Sequence, residues 1–145
     1  MKTIHRPLIR VLHLAVTLLF STALNAAPPV RDKILDDVQL VRNDEQLTLK
    51  VAFSMPMRYR SHFPQDRGDE LRIQLHPVRI PASDLNAVPR REGVVPLYAD
   101  SAAIDEVIYE GDIEGGPYLT VRFTRPVSYR IIPGSDYRSI NIVIQ

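Results

Sequence analysis

The chain has no cysteine and no tryptophan, and only four of its 145 residues are histidine. Without cysteine there is no disulfide framework and no thiolate to act as nucleophile or metal ligand, although the absence does not by itself assign a compartment. His62 and His76 are the only histidines after residue 13, and no His-x-x-x-His spacing is present, so the three or four convergent ligands of a metal site are missing. No metal or cofactor is expected. The Gly-x-Ser-x-Gly signature of a serine nucleophile is absent as well. Helical spacing of apolar residues is also missing beyond the N-terminal region, which excludes a helical domain.

A strong charge of one sign is lacking too, once the N-terminus is set apart. "MKTIHRPLIR" carries Lys2, Arg6 and Arg10, "VLHLAVTLLF" is apolar, and "STALNAA" supplies small residues before a Pro-Pro pair. That order is the n-region, h-region and cleavage site of a secretory signal peptide over residues 1–26, with the mature chain beginning near 27. An uncleaved anchor is the competing reading, but a spanning helix needs roughly 20 apolar residues. Removing those three cations from 18 basic residues leaves 15 against 17 acidic ones, and the formal charge moves from +1 to −2. A nucleic-acid-binding domain keeps a positive balance, so nucleic acid is not expected as a partner. The implied location is the periplasm, with no membrane span after cleavage.

What the mature chain does have is alternation. "EQLTLKVAF" sets Leu47, Leu49, Val51 and Phe53 on one side; "ELRIQL", "YLTVRF" and "SINIVI" repeat the period-two pattern of half-buried strands. The pattern predicts an all-β domain over 27–145, with at most a short helical turn near its middle.

It also has a repeat. "FSMPMRYR" at 53–60 is echoed by "FTRPVSYR" at 123–130, which aligns Phe53, Pro56 and Tyr59 with Phe123, Pro126 and Tyr129. "LDDVQLV" precedes the first copy as "IDEVIYE" precedes the second, and "ELRIQL" answers "SINIVI". Two half-repeats, about 35–76 and 104–145, are therefore expected to form a compact two-sheet β-sandwich of two pseudo-symmetric β-units sharing one core. Proline lacks a backbone donor and marks an edge, bulge or turn in each half. Residues 77–103 link the halves, with "RIP" and "VVPLY" as candidate short edge strands.

These segments behind a signal peptide resemble the AMIN and AMIN-like domains of bacterial cell-envelope proteins, nearest to the version that precedes tetratricopeptide repeats. The resemblance covers about residues 33–145 and rests on the Phe-x-x-Pro-x-x-Tyr tokens and the closing "RSINIVI". It implies a small pseudo-symmetric β-fold that binds peptidoglycan or an envelope partner. No repeat array, amidase or pore-forming region follows Gln145 in this sequence, which implies a module acting alone or a shortened relative lacking its effector domain.

The residues supply binding chemistry of that kind. Arg58, Arg60 and Arg130 fall on the solvent side of the alternation, and His62, Arg67 and Arg138 lie in or beside the polar loops; guanidinium forks suit the carboxylates of peptidoglycan stems. The bland counterpart is a β-surface whose arginines pair with nearby acids for solubility. Glu110, Asp112 and Glu114 could furnish paired carboxylates for glycan hydrolysis, but the glycines around them read as a solvated hairpin tip, and the domain is expected not to be an enzyme. Docking of an envelope protein by strand addition at "QLHPVRI" or "SINIVI", or self-association through the same edges, is the second class of function.

Overall fold

The computed structural model describes residues 33–43, 46–80, 82–96 and 103–145. The signal-peptide assignment, the start of the domain and the "LY" of "VVPLY" lie outside the described residues. Eight strands follow in order: β1 Leu35–Asn43, β2 Gln46–Phe53, β3 Met57–Phe63, β4 Arg67–Pro77, β5 Arg91–Val94, β6 Ile104–Glu110, β7 Tyr118–Pro133 and β8 Ser139–Ile144. One 3-10 turn, Ala82–Asp84, sits in the middle of the chain. No helix among the described residues is long and apolar enough to cross a membrane.

All pairings are antiparallel, and β7 belongs to two sheets. In sheet I the order is β1-β2-β8 and then the C-terminal half of β7; in sheet II it is β5-β6, the N-terminal half of β7, β4 and β3. The exchange of β6 for β8 falls between Phe123 and Tyr129, while β4 stays paired with β7 on both sides of it, and Pro126, without an N–H, interrupts no ladder bond there. The separate strand expected after Pro126 is thus the continuation of β7, whereas Pro56 does divide β2 from β3.

The two half-repeats are visible in the ladders themselves. Leu35 faces Phe53 in the first half as Ile104 faces Phe123 in the second, and each pair is followed by a register shift, at Asp36 and at Asp105. Val51 opposite Ile140 matches Val121 opposite Leu71, and Tyr59 opposite Leu75 matches Tyr129 opposite Ile144. A pseudo-twofold therefore exchanges β1, β2, β3 and β4 with β6, the two halves of β7, and β8.

The inward positions of both sheets form one hydrophobic cluster. Leu49, Val51, Leu71, Ile73, Val107, Leu119, Val121 and Ile142 are fully enclosed, with Phe53 and Phe123 beside them. Each such side chain contributes about 1.5–3 kcal/mol of transfer free energy, so a cluster fed by the five strands β2, β4, β6, β7 and β8 is what holds the sheets face to face. Polar loops then lock one half to the other. The Tyr129 N–H donates to the Asp66 carbonyl at 2.8 Å and the Tyr129 hydroxyl to the Pro64 carbonyl at 3.0 Å, while Met57 N–H donates to Tyr137 O at 2.7 Å.

Candidate functional site

The arginines singled out by alternation do not form one patch. Arg130 stands opposite Val143 on the outer face of sheet I, whereas Arg58 stands opposite His76 on the outer face of sheet II. Arg60 has no counterpart in the second half. It is the extra residue of a β-bulge between Tyr59 and Ser61, so the position related to Arg130 is Ser61. Arg67 opens β4 opposite Ser128. Arg60 and Arg130, aligned by the echo of "FSMPMRYR" in "FTRPVSYR", are therefore not equivalent in the ladders.

His62 is held by groups of the domain itself. Its Nδ1 meets the Tyr59 hydroxyl at 2.6 Å and its Nε2 the Gln65 carbonyl at 2.8 Å, and its ring lies between those of Tyr59 and Tyr129. Burial raises the pKa of Tyr59; burial and then the charge of Asp66 push Tyr129 up to about 12, so both hydroxyls stay protonated and bonded.

Two of the candidates adjoin the 134–138 turn. Arg58 lies over the Tyr137 ring, 5.3 Å from its centroid, and Arg138 donates to the Ser54 carbonyl at 2.8 Å while its own N–H is held by Asp136. Tyr137 takes φ +60°, a left-handed conformation that costs a residue with a Cβ and fixes the ring at the edge of sheet II.

Arg58 begins a face whose rows can be read from the ladders. Next comes the row Ser61, Gln74, Tyr118, Glu110 and Arg91, then Phe63, Arg72, Thr120 and Ile108, and last Glu70, Arg122 and Glu106. Phe63 is 75% exposed on it. Arg72 stacks on Tyr118 with its guanidinium carbon 4.7 Å from the ring centroid. The same face thus carries two arginine-on-tyrosine stacks and one bare aromatic ring.

Glu110 is the anchor beneath this face, not a solvated tip. It is 4% exposed and accepts from the Thr120 hydroxyl at 2.6 Å, from Arg72 at 3.1 Å and from Arg91 at 2.9 Å. Burial alone would raise its pKa, but the Thr120 and Arg72 hydrogen bonds and the two guanidinium charges prevail and hold it below the usual carboxylate value. An acid held ionised and clamped between cations is the reverse of a general acid. Asp112 and Glu114, by contrast, are exposed as a hairpin tip should be.

Gly111 makes the clamp possible. Its N–H donates to the Arg90 carbonyl at 2.7 Å, and a Cβ there would overlap the Val88 carbonyl oxygen, so only glycine lets the 88–91 segment lie close enough for Arg91 to reach Glu110. Among the described residues no group of three or more His, Cys, Asp or Glu is placed to hold a metal ion. No family model, no curated protein and no solved structure matches this chain.

Proposed function

We propose that the protein is an AMIN-like, non-catalytic binding module of the bacterial cell envelope, exported to the periplasm, and that it holds peptidoglycan on the outer face of sheet II. The observation that carries this reading is the joint placement of Phe63, the Arg72–Tyr118 stack and the Arg58–Tyr137 stack on that one face. A broad sheet face suits a polymer better than a deep pocket does. Aromatic faces accept the C–H surfaces of sugars, and guanidinium groups accept the carboxylates of peptide stems. Arg72, Arg91 and Arg122 are paired with Glu110, Glu70 and Glu106, so they orient the surface, while Arg58 at its edge supplies the cation for an incoming carboxylate.

Co-sedimentation with purified sacculi across a salt series tests the reading. Arg58→Ala combined with Phe63→Ala should lower the pelleted fraction several-fold, and salt should lower the wild-type fraction because exposed charges are screened. Arg130→Ala, on the opposite face, should leave pelleting unchanged. Retention that ignores the paired substitution, or that falls equally with Arg130→Ala, would contradict it.

A further inference from the structure

The two stretches expected to offer a docking edge are both central. "SINIVI" is β8, between β2 and β7, and "QLHP" belongs to β4, between β7 and β3, so neither presents a free edge. A turn is distinguished instead by its backbone. Tyr137, between β7 and β8, is the one non-glycine residue with a positive φ among the described residues, at +60°. A side chain with a Cβ resists this left-handed region, which glycine enters freely and asparagine or aspartate more readily than other residues. Such strain persists only where the surroundings over-determine it, and it clusters at binding and catalytic sites.

The surroundings that hold it are identifiable. The Tyr137 carbonyl accepts from the Met57 N–H at 2.7 Å, the Tyr137 N–H donates to the Gly134 carbonyl at 3.3 Å, and Asp136 Oδ1 accepts from the Arg138 N–H at 2.9 Å. Arg138 donates to the Ser54 carbonyl at 2.8 Å and closes the turn onto the segment after β2. These bonds fix the backbone, yet the Tyr137 residue is left 42% exposed, so burial of the ring in the core is not what the strain secures.

What the ring does hold is Arg58, whose guanidinium carbon lies 5.3 Å from its centroid. Among the described residues no acid pairs with Arg58, whereas Arg72, Arg91 and Arg122 on the same face each meet a glutamate. The residue opposite Arg58 in the ladder is His76, exposed and likewise without an acid. Directly opposite side chains have their Cβ atoms about 5 Å apart, so the two donors flank one small space. Asp136, the acid of the turn, is already engaged by the Arg138 N–H.

We infer that Tyr137 is a positioning residue: its strained backbone sets the ring against Arg58 so that the guanidinium, together with His76, receives the terminal carboxylate of a peptide. A long side chain free in solvent samples many orientations, and a ring face that restrains it lowers the ordering cost of binding. The guanidinium fork matches the two oxygens of a carboxylate, and His76 adds an N–H from the neighbouring strand. Glycine at 137 would close the same turn without strain and would leave Arg58 unrestrained. The inference rests on the reading of the outer face of sheet II and names the group that this end of the face accepts.

The probe is N-acetyl-alanyl-alanine with a free C-terminal carboxylate, beside the same peptide amidated, followed on the full chain by the backbone amide shifts of Arg58, His76 and Tyr137. The carboxylate should bind saturably and the amide at least about tenfold more weakly, since charge-assisted hydrogen bonds are lost. Tyr137→Gly should leave the unfolding midpoint equal or higher while weakening the carboxylate probe roughly two- to fivefold, and Tyr137→Phe, which keeps the ring face, should retain the affinity. Equal binding of the amidated peptide, no shift at any soluble concentration of the carboxylate, unchanged affinity in Tyr137→Gly, or lost affinity in Tyr137→Phe would each overturn the inference. A Tyr137→Gly variant that unfolds more easily would do so too, because the ring would then be a packing residue. Sacculi that pellet wild type and Tyr137→Gly alike, while Arg58→Ala with Phe63→Ala still lowers the pellet, would remove this inference and keep the binding face; carboxylate binding with no pelleting at all would do the reverse.

Discussion

Glu110 shows most clearly what a single residue contributes and why it was hard to foresee. Its partners Arg72, Arg91 and Thr120 come from three other strands, and only the folded ladders place them around it. From the sequence, the glycines at 111, 115 and 116 made the stretch look like a solvated turn. Because its folded pKa lies below the ordinary value of 4.5, the stabilisation it provides is complete above that pH and is lost as pH falls below it. Glu110→Gln should therefore cost about 2 kcal/mol near neutral pH, a figure held down by the half-exposed arginines, and should flatten acid unfolding below about pH 4.5. Urea melts at pH 7 and pH 3.5 would check both parts; an unchanged difference between the two pH values would contradict the assigned role. By contrast the inward positions, such as Leu49, Ile73 and Val121, were legible at once, since strand alternation is local.

Among the elements, β2, β4, the first half of β7 and β8 were legible from alternation, and β1 and β6 from the repeat that sets "LDDVQLV" beside "IDEVIYE". β8 carries a clue that it is central, because Val143 is buried on its outer side as Ile142 and Ile144 are on the inner. β5 was obscured because four residues of "REGV" show no period, and its place depends on Gly111 and on the Glu92 contacts with β1. The bulge at Arg60 was invisible for the same reason that Arg60 and Arg130 appeared equivalent: the eight-residue echo aligns them, and only the ladder reveals the extra residue. Deleting Arg60 should let β3 pair as the C-terminal half of β7 does, with Tyr59, Ser61 and His62 keeping their partners. Thermal melts should place the deletion within about 1 kcal/mol of wild type. A deletion that unfolds the domain would show that the bulge itself is needed to seat His62 between Tyr59 and Tyr129.

At the scale of the whole molecule, the repeat in the sequence and the pseudo-twofold in the ladders describe the same arrangement, and the departures from it are where binding is argued. One half adds β5 and builds the Glu110 clamp under the outer face of sheet II; in the other, among the described residues, β1 pairs only with β2. The arginines spread over both sheets, so the two outer faces should behave differently toward the same ligand. The most direct measurement is a backbone amide NMR titration with soluble peptidoglycan fragments. The account predicts shifts concentrated at Arg58, Ser61, Phe63, Arg72, Gln74, Tyr118 and Tyr137, with sheet I around Arg130 and Asn141 unmoved. Shifts centred on sheet I, or none at saturating fragment with the fold intact, would contradict the assignment of the outer face of sheet II as the binding surface.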